Sequence, residues 1–155
     1  MVVDRTAADV EYWRSLQQKG YAAMTDDEKA AWNSGTMKGA YNASDLNRVG
    51  VALNYLREAL AAEGYLSADL FAAKTDWAVT DIPTTKNLSE YLTYIAHIRG
   101  ATKQLADTPP TPADTGTLNY NNANDIEKIL VASEHMLHNI QNAWFFCSDL
   151  YCGEV

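Results

Sequence analysis

The chain is short of several things, and each shortage removes a class of function. It holds only two cysteines, Cys147 and Cys152, in 155 residues. A bond between them would close a tiny loop and stabilise little, so two reduced thiols are expected. Cation is scarce: 12 Lys and Arg stand against 20 Asp and Glu, a net charge of −8. Such a chain has little with which to displace counterions from a phosphate backbone, so no nucleic-acid partner is expected. The same sign disfavours an anionic membrane surface, and no apolar run reaches about 18 residues, so no membrane association is expected either. Residues 1–10 carry Asp4, Arg5 and Asp9 among apolar neighbours, unlike a secretory leader, which implies synthesis and retention in a cytoplasm. There is no Gly-x-Ser-x-Gly elbow, no cysteine-protease signature and no phosphate loop.

What remains is apolar residue at helical spacing. Leu46, Val49, Leu53, Leu56 and Leu60 step by 3, 4, 3 and 4, one stripe of a helix. Ile126, Ile129, Leu130, Met136, Leu137, Ile140 and Trp144 repeat the pattern, as do Leu88, Leu92, Ile95, Ile98 and Leu105. Val10, Trp13 and Leu16 make a shorter stripe, and Glu28 to Trp32 about two turns. Each run follows a capping box or a variant of one: Thr6…Asp9, Thr25…Glu28, Asn42…Asp45, Asn87…Glu90 and Asn122…Asp125. Gly20, Gly35 and Gly64 stand where left-handed helix ends are expected. The period fades between residues 65 and 85, which predicts an irregular segment or a small β hairpin. Asp107 to Gly116 is too rich in proline for helix and reads as a connection. The expected fold is one mainly α domain over 1–155: three long helices in a bundle, a short N-terminal helical pair, and the irregular or β stretch near 65–85. Residues 42–49 echo residues 122–129, which two independently well-capped amphipathic helices explain without a repeat.

Candidate chemistry is thin. His135 and His138 share a helix side, but Cys147 lies about 13 Å beyond His138 on a continuing helix, so no metal site and no cofactor is expected. His97, beside Ile95 and Ile98, is expected to be a packing or boundary residue and not a base. Glu58, Glu63, Asp69, Asp76 and Asp81 could supply a carboxylate pair for glycoside hydrolysis, but so acidic a chain makes solvated surface the simpler account. Trp13, Trp32 and Trp144 fall on or near apolar stripes and are expected in the core. Trp77, flanked by Asp76 and Asp81, stands in the irregular segment, as a plug for the bundle or a platform for a sugar ring or a partner. Trp144, Phe145 and Tyr151 concentrate apolar surface in the last dozen residues, a segment suited to folding back or docking on another subunit.

A set of longer words adds to this. Lys19-Gly20, Met24-Thr-Asp-Asp-Glu28-Lys-Ala-Ala-Trp32, Lys38-Gly-Ala-Tyr-Asn-Ala43, Asp45-Leu-Asn-Arg-Val49, Lys74-Thr-Asp-Trp77, Asp81-Ile-Pro-Thr84 and Ile126-Glu-Lys-Ile-Leu130 occur in that order. In this the chain resembles a family of small phage and prophage proteins, encoded among tail and structural genes in Gram-positive gut bacteria, from about residue 4 onward. The shared words are structural, and the resemblance brings no catalytic residue with it. It implies a non-enzymatic role in the virion, tail or baseplate associated, after synthesis in the host cytoplasm. The implied partners are other virion proteins and further copies of the chain. The alternative is a module that binds host-surface carbohydrate through Trp77, Asp76 and Asp81. A hydrolase accessory domain comes third.

Overall fold

The computed structural model describes residues 1–102, 105–116 and 118–149, with side chains described as far as Ala143. The domain is mainly α. Helix α1 spans Ala7–Lys19, α2 Asp26–Asn33, α3 Ala43–Ala62, α4 Thr85–Ala101 and α5 Tyr120–Asp149, with a single 3-10 turn at Tyr21–Ala23. Among the described residues there is no strand. The stretch from 65 to 84 holds only turns and irregular backbone, so the small β hairpin offered near 65–85 is not present. No described helix is long and apolar enough to cross a membrane.

Helix boundaries follow the caps, with two corrections. Thr6, Thr25 and Asn42 cap α1, α2 and α3 with Asp9, Glu28 and Asp45 reaching back, as their spacing predicts. Helix α4 starts a turn earlier than Asn87 suggests. Thr84 is its cap and Asn87 the reciprocating residue. Pro83 disfavours helix in the residue before it but not after, so the first competent cap beyond it takes the start. Helix α5 likewise begins a turn early, where Asn119 accepts from the N–H groups of Asn121 and Asn122 while Asn122 accepts from that of Asn119. Helix α4 stops at Ala101, so Leu105 leaves its predicted stripe and is exposed. The backbone at Gly20, Gly35 and Gly64 has positive φ, as expected of chain reversals after α1, α2 and α3.

The core is the mutual contact of α3, α4 and α5. Leu46, Val49, Leu53, Leu56 and Leu60 meet Leu92, Ile95 and Ile98 and then Ile126, Ile129, Leu130 and Leu137, all buried. The three helices run parallel. Near the start of α3, Arg48 reaches Glu127 on α5 and the Leu46 carbonyl accepts from the Tyr91 hydroxyl of α4. Near its other end, Glu63 accepts from Gln141 at 3.3 Å. Parallel neighbours need long returns, because the chain must travel back along each helix before starting the next. A 20-residue helix is about 30 Å long, which takes at least nine extended residues to retrace. The segments that broke the helical period are those returns.

The first return lies along α3 and is clasped by it. Asn54 donates to the Ala73 carbonyl at 2.9 Å and accepts from the Ala73 N–H at 2.8 Å. Asn47 does the same for Trp77, at 2.9 and 2.7 Å. Arg57 donates to the Phe71 carbonyl. Between the two asparagines, Gly50 brings α3 against the Lys74 carbonyl, where a Cβ would collide with backbone. Each amide side chain satisfies one extended residue's N–H and C=O, as a neighbouring strand would. The second return passes α4: Arg99 donates to the Pro109 carbonyl at 2.9 Å, and Thr111 to Thr115 border Ser89, Leu92, Thr93 and Ala96.

The N-terminal pair stands apart from this core. Trp13 and Trp32, expected inside it, are half-buried and stack on each other at 6.2 Å with planes 6° apart. The short helices α1 and α2 offer too little apolar area to enter the bundle, so their tryptophans cover one another.

Candidate functional site

A large cavity opens where α3, α4 and α5 begin. It has a volume of about 790 Å³. Trp13 and Val10 of α1, Leu46 of α3, Leu88 and Leu92 of α4, and Tyr120 and Ile126 of α5 line it, together with Tyr41 and Pro83. The early starts of α4 and α5 bear on this directly, since the extra turn of α5 is what sets Tyr120 in the wall. Gly39 closes the side next to α1, its α-carbon tight against the Asp9 carbonyl and Trp13. The lining is dominated by hydrocarbon and aromatic rings. Its charged members are Arg5, Glu11, Arg14 and Lys38. Lys38 is held by Asp4 at 2.6 Å. Arg14 has no ion pair among the described residues. A cleft of roughly 300–1,000 Å³ with such a lining suits an apolar guest anchored by few polar contacts.

Behind the cleft lies a buried ionic net that the sequence reading did not single out. Arg5 reaches Asp45 at 2.9 Å and Glu127 at 2.8 Å, and Arg48 reaches Asp45 at 2.5 Å and Glu127 at 2.7 Å. Two guanidiniums thus face two carboxylates, and the formal charges cancel. Glu127 is fully buried, and Arg5 and Asp45 nearly so. The Val2 N–H also donates to Glu127, and Asn124 clasps Arg5 through its N–H at 3.0 Å and its carbonyl at 2.9 Å. Tyr41 places its ring 5.3 Å from the Arg5 guanidinium. Burial alone would push the Glu127 carboxyl up. Hydrogen bonds from Arg48, the Val2 N–H and Arg5 outweigh it and hold the carboxyl below its usual range. The net joins the first five residues to α3 and α5. A signal for it does exist in the sequence: Glu127 interrupts the stripe Ala123, Ile126, Leu130, a position where an unpaired acid would be costly.

The residues singled out from sequence fall in three places. Trp77, Asp76 and Asp81 are together, gathered around Lys74, on the surface outside the cleft. Lys74 lies 2.9 Å from Asp81 and 3.8 Å from Asp76, and 4.5 Å from the centre of the Trp77 ring. The hydrogen bond from Lys74, with a second from the Ala78 N–H, holds the Asp81 carboxyl low, and Asp81 in turn raises the Lys74 ammonium. Trp77 packs on the core edge with its indole nitrogen buried and unpartnered among the described residues. The Lys74 ammonium covers one face of its ring. Trp144 and Phe145 lie in the last turns of α5, where side chains are outside the described set, and Tyr151 is outside the described residues altogether. His135 and His138 are exposed on α5, and His97 is exposed on α4, stacked 6.5 Å from Phe71.

No protein-family model matches this chain, and no curated protein or solved structure does.

Proposed function

We propose that the chain is a non-enzymatic structural component of a phage or prophage particle, tail or baseplate associated, acting through contacts with other virion proteins and with copies of itself. The resemblance of its longer words suggests the setting. The observation that carries the mode of action is how the polar side chains are used. Arg5, Asp45, Arg48, Glu127, Asn47, Asn54 and Asn124 are all spent tying one segment of the chain to another. The large cleft they leave is walled by apolar and aromatic groups, a surface for contact. The aromatic segment 144–155 supplies a second contact element. Particles purified from a producing strain should contain the chain, and deleting 144–155 should lower the amount retained. Its absence from washed particles defeats the proposal.

The alternative, recognition of host-surface carbohydrate, draws on Trp77 beside the exposed Asp76. It stands second because Lys74 covers the indole and the indole nitrogen faces the protein. Titration with cell-wall polysaccharide should leave tryptophan fluorescence unchanged. A quench that disappears in Trp77→Ala would put the alternative first.

A further inference from the structure

One feature of the surface runs against ordinary solubility. In the turn at residues 78–82, Val79 is 93% exposed and Ile82 88%. The turn that carries them is fastened on three sides. The Asp81 N–H donates to the Ala78 carbonyl at 3.0 Å, and the Ala78 N–H donates to the Asp81 carboxylate at 3.1 Å. Lys74 holds the same carboxylate, and Asn47 grips Trp77 immediately before the turn. Two aliphatic side chains are therefore presented to solvent on a fixed frame, the arrangement in which binding loses little conformational freedom.

The residue after this peg, Pro83, lines the apolar cleft. Peg and socket are thus adjacent on one surface, and the bonds of the turn hold the peg outside its own socket. We infer that the turn 78–82 of one copy seats in the cleft of a second copy, and reciprocally, about a two-fold axis. A two-fold places the same patch on both sides, so one encounter fills both clefts and covers both pegs. A foreign partner that presented only a plug or only a cavity would leave the other half bare. The charges agree. Asp76 beside the peg is largely exposed, and Arg14 in the cleft lining has no carboxylate partner among the described residues. In the pair, each acid stands near the other copy's arginine.

The inference rests on reading the chain as a self-associating component, and it names the surface used. The test is sedimentation equilibrium of the full chain across a concentration series. The wild type should dimerise. The double variant Val79→Asp/Ile82→Asp should raise the dissociation constant roughly a hundredfold while unfolding at the same temperature, because both positions are solvated in the monomer. Arg14→Asp should weaken the pair a few-fold, and adding Asp76→Arg should restore it. A wild type that stays monomeric at high concentration overturns the inference. So does a double variant that dimerises as well as the wild type, even if the chain is present on particles and the 144–155 deletion lowers its retention. A dimer broken by the double variant in a chain never found on particles would keep the peg and socket and defeat the virion reading instead.

Discussion

Glu127 shows how much one residue can decide. It accepts from both guanidiniums and from a backbone N–H, without any exposure to water. Replacing it with alanine leaves Arg5 and Arg48 sharing the one carboxylate of Asp45, and a buried charge without its partner typically costs about 3–5 kcal/mol. Urea unfolding of Glu127→Ala at neutral pH should show a loss near the lower figure, since Arg48 retains some solvent. The pH dependence has a definite sign. The folded carboxyl titrates below its ordinary value of 4.5, so its stabilisation is complete above that value and drains away as pH falls through the lower folded value. Wild-type stability should therefore decline below about pH 4.5 more steeply than that of Glu127→Gln, which has no proton to take up there. Equal slopes would show that the net contributes nothing.

At the scale of elements, the returns are held by side chains and not by a sheet. Asn54→Ala removes both partners of the Ala73 backbone, and two part-buried groups left unpaired should cost about 2 kcal/mol, with faster amide exchange at Ala73. Gly50→Ala separates two opposed effects. Helix propensity alone would stabilise the change by about 1 kcal/mol. The clash of a Cβ with the Lys74 carbonyl should reverse that sign and destabilise by about 1–3 kcal/mol, as overpacking does. The apolar face of α3 was plain in the sequence, since a period of 3.6 marks burial on one side. The second face was there as well, as Asn47, Gly50, Asn54 and Arg57 at steps of 3, 4 and 3. Polar stripes carry no sign of whether water or backbone satisfies them, and so nothing in the sequence singled out Asn47 and Asn54. The caps of α4 and α5 were misplaced for a related reason. Thr84 and Asn87, or Asn119 and Asn122, are chemically equivalent candidates one turn apart, and only Pro83 and the packing of Tyr120 decide between them.

At the scale of the whole molecule, the core is a parallel bundle of α3, α4 and α5, a direction that periodicity does not encode. Helix stripes read the same whether neighbours run together or opposed, so the lengths of residues 63–84 and 102–119 carried the only hint. The cleft was equally illegible, because its walls come from α1, α3, α4 and α5 and the turns that precede them. The topology makes a prediction about length. Helix α4 has 17 residues, about 26 Å, which an extended return retraces in no fewer than about eight residues. Replacing 102–119 by a flexible linker of about 15 residues should keep helical content and cooperative melting, whereas one of about five should abolish both, since it can join only opposed helices. Retention of a wild-type melting curve with the short linker, followed by circular dichroism, would contradict the parallel arrangement.

The ionic net carries a consequence for how the chain comes into being. Arg5 and Glu127 are separated by 122 positions. During translation the arginine emerges early and waits, while the acid that neutralises it has yet to be polymerised. Until then the leading segment lacks its tie to α5, and Asp45 alone must answer two cations. The net can therefore close only once α5 has been made.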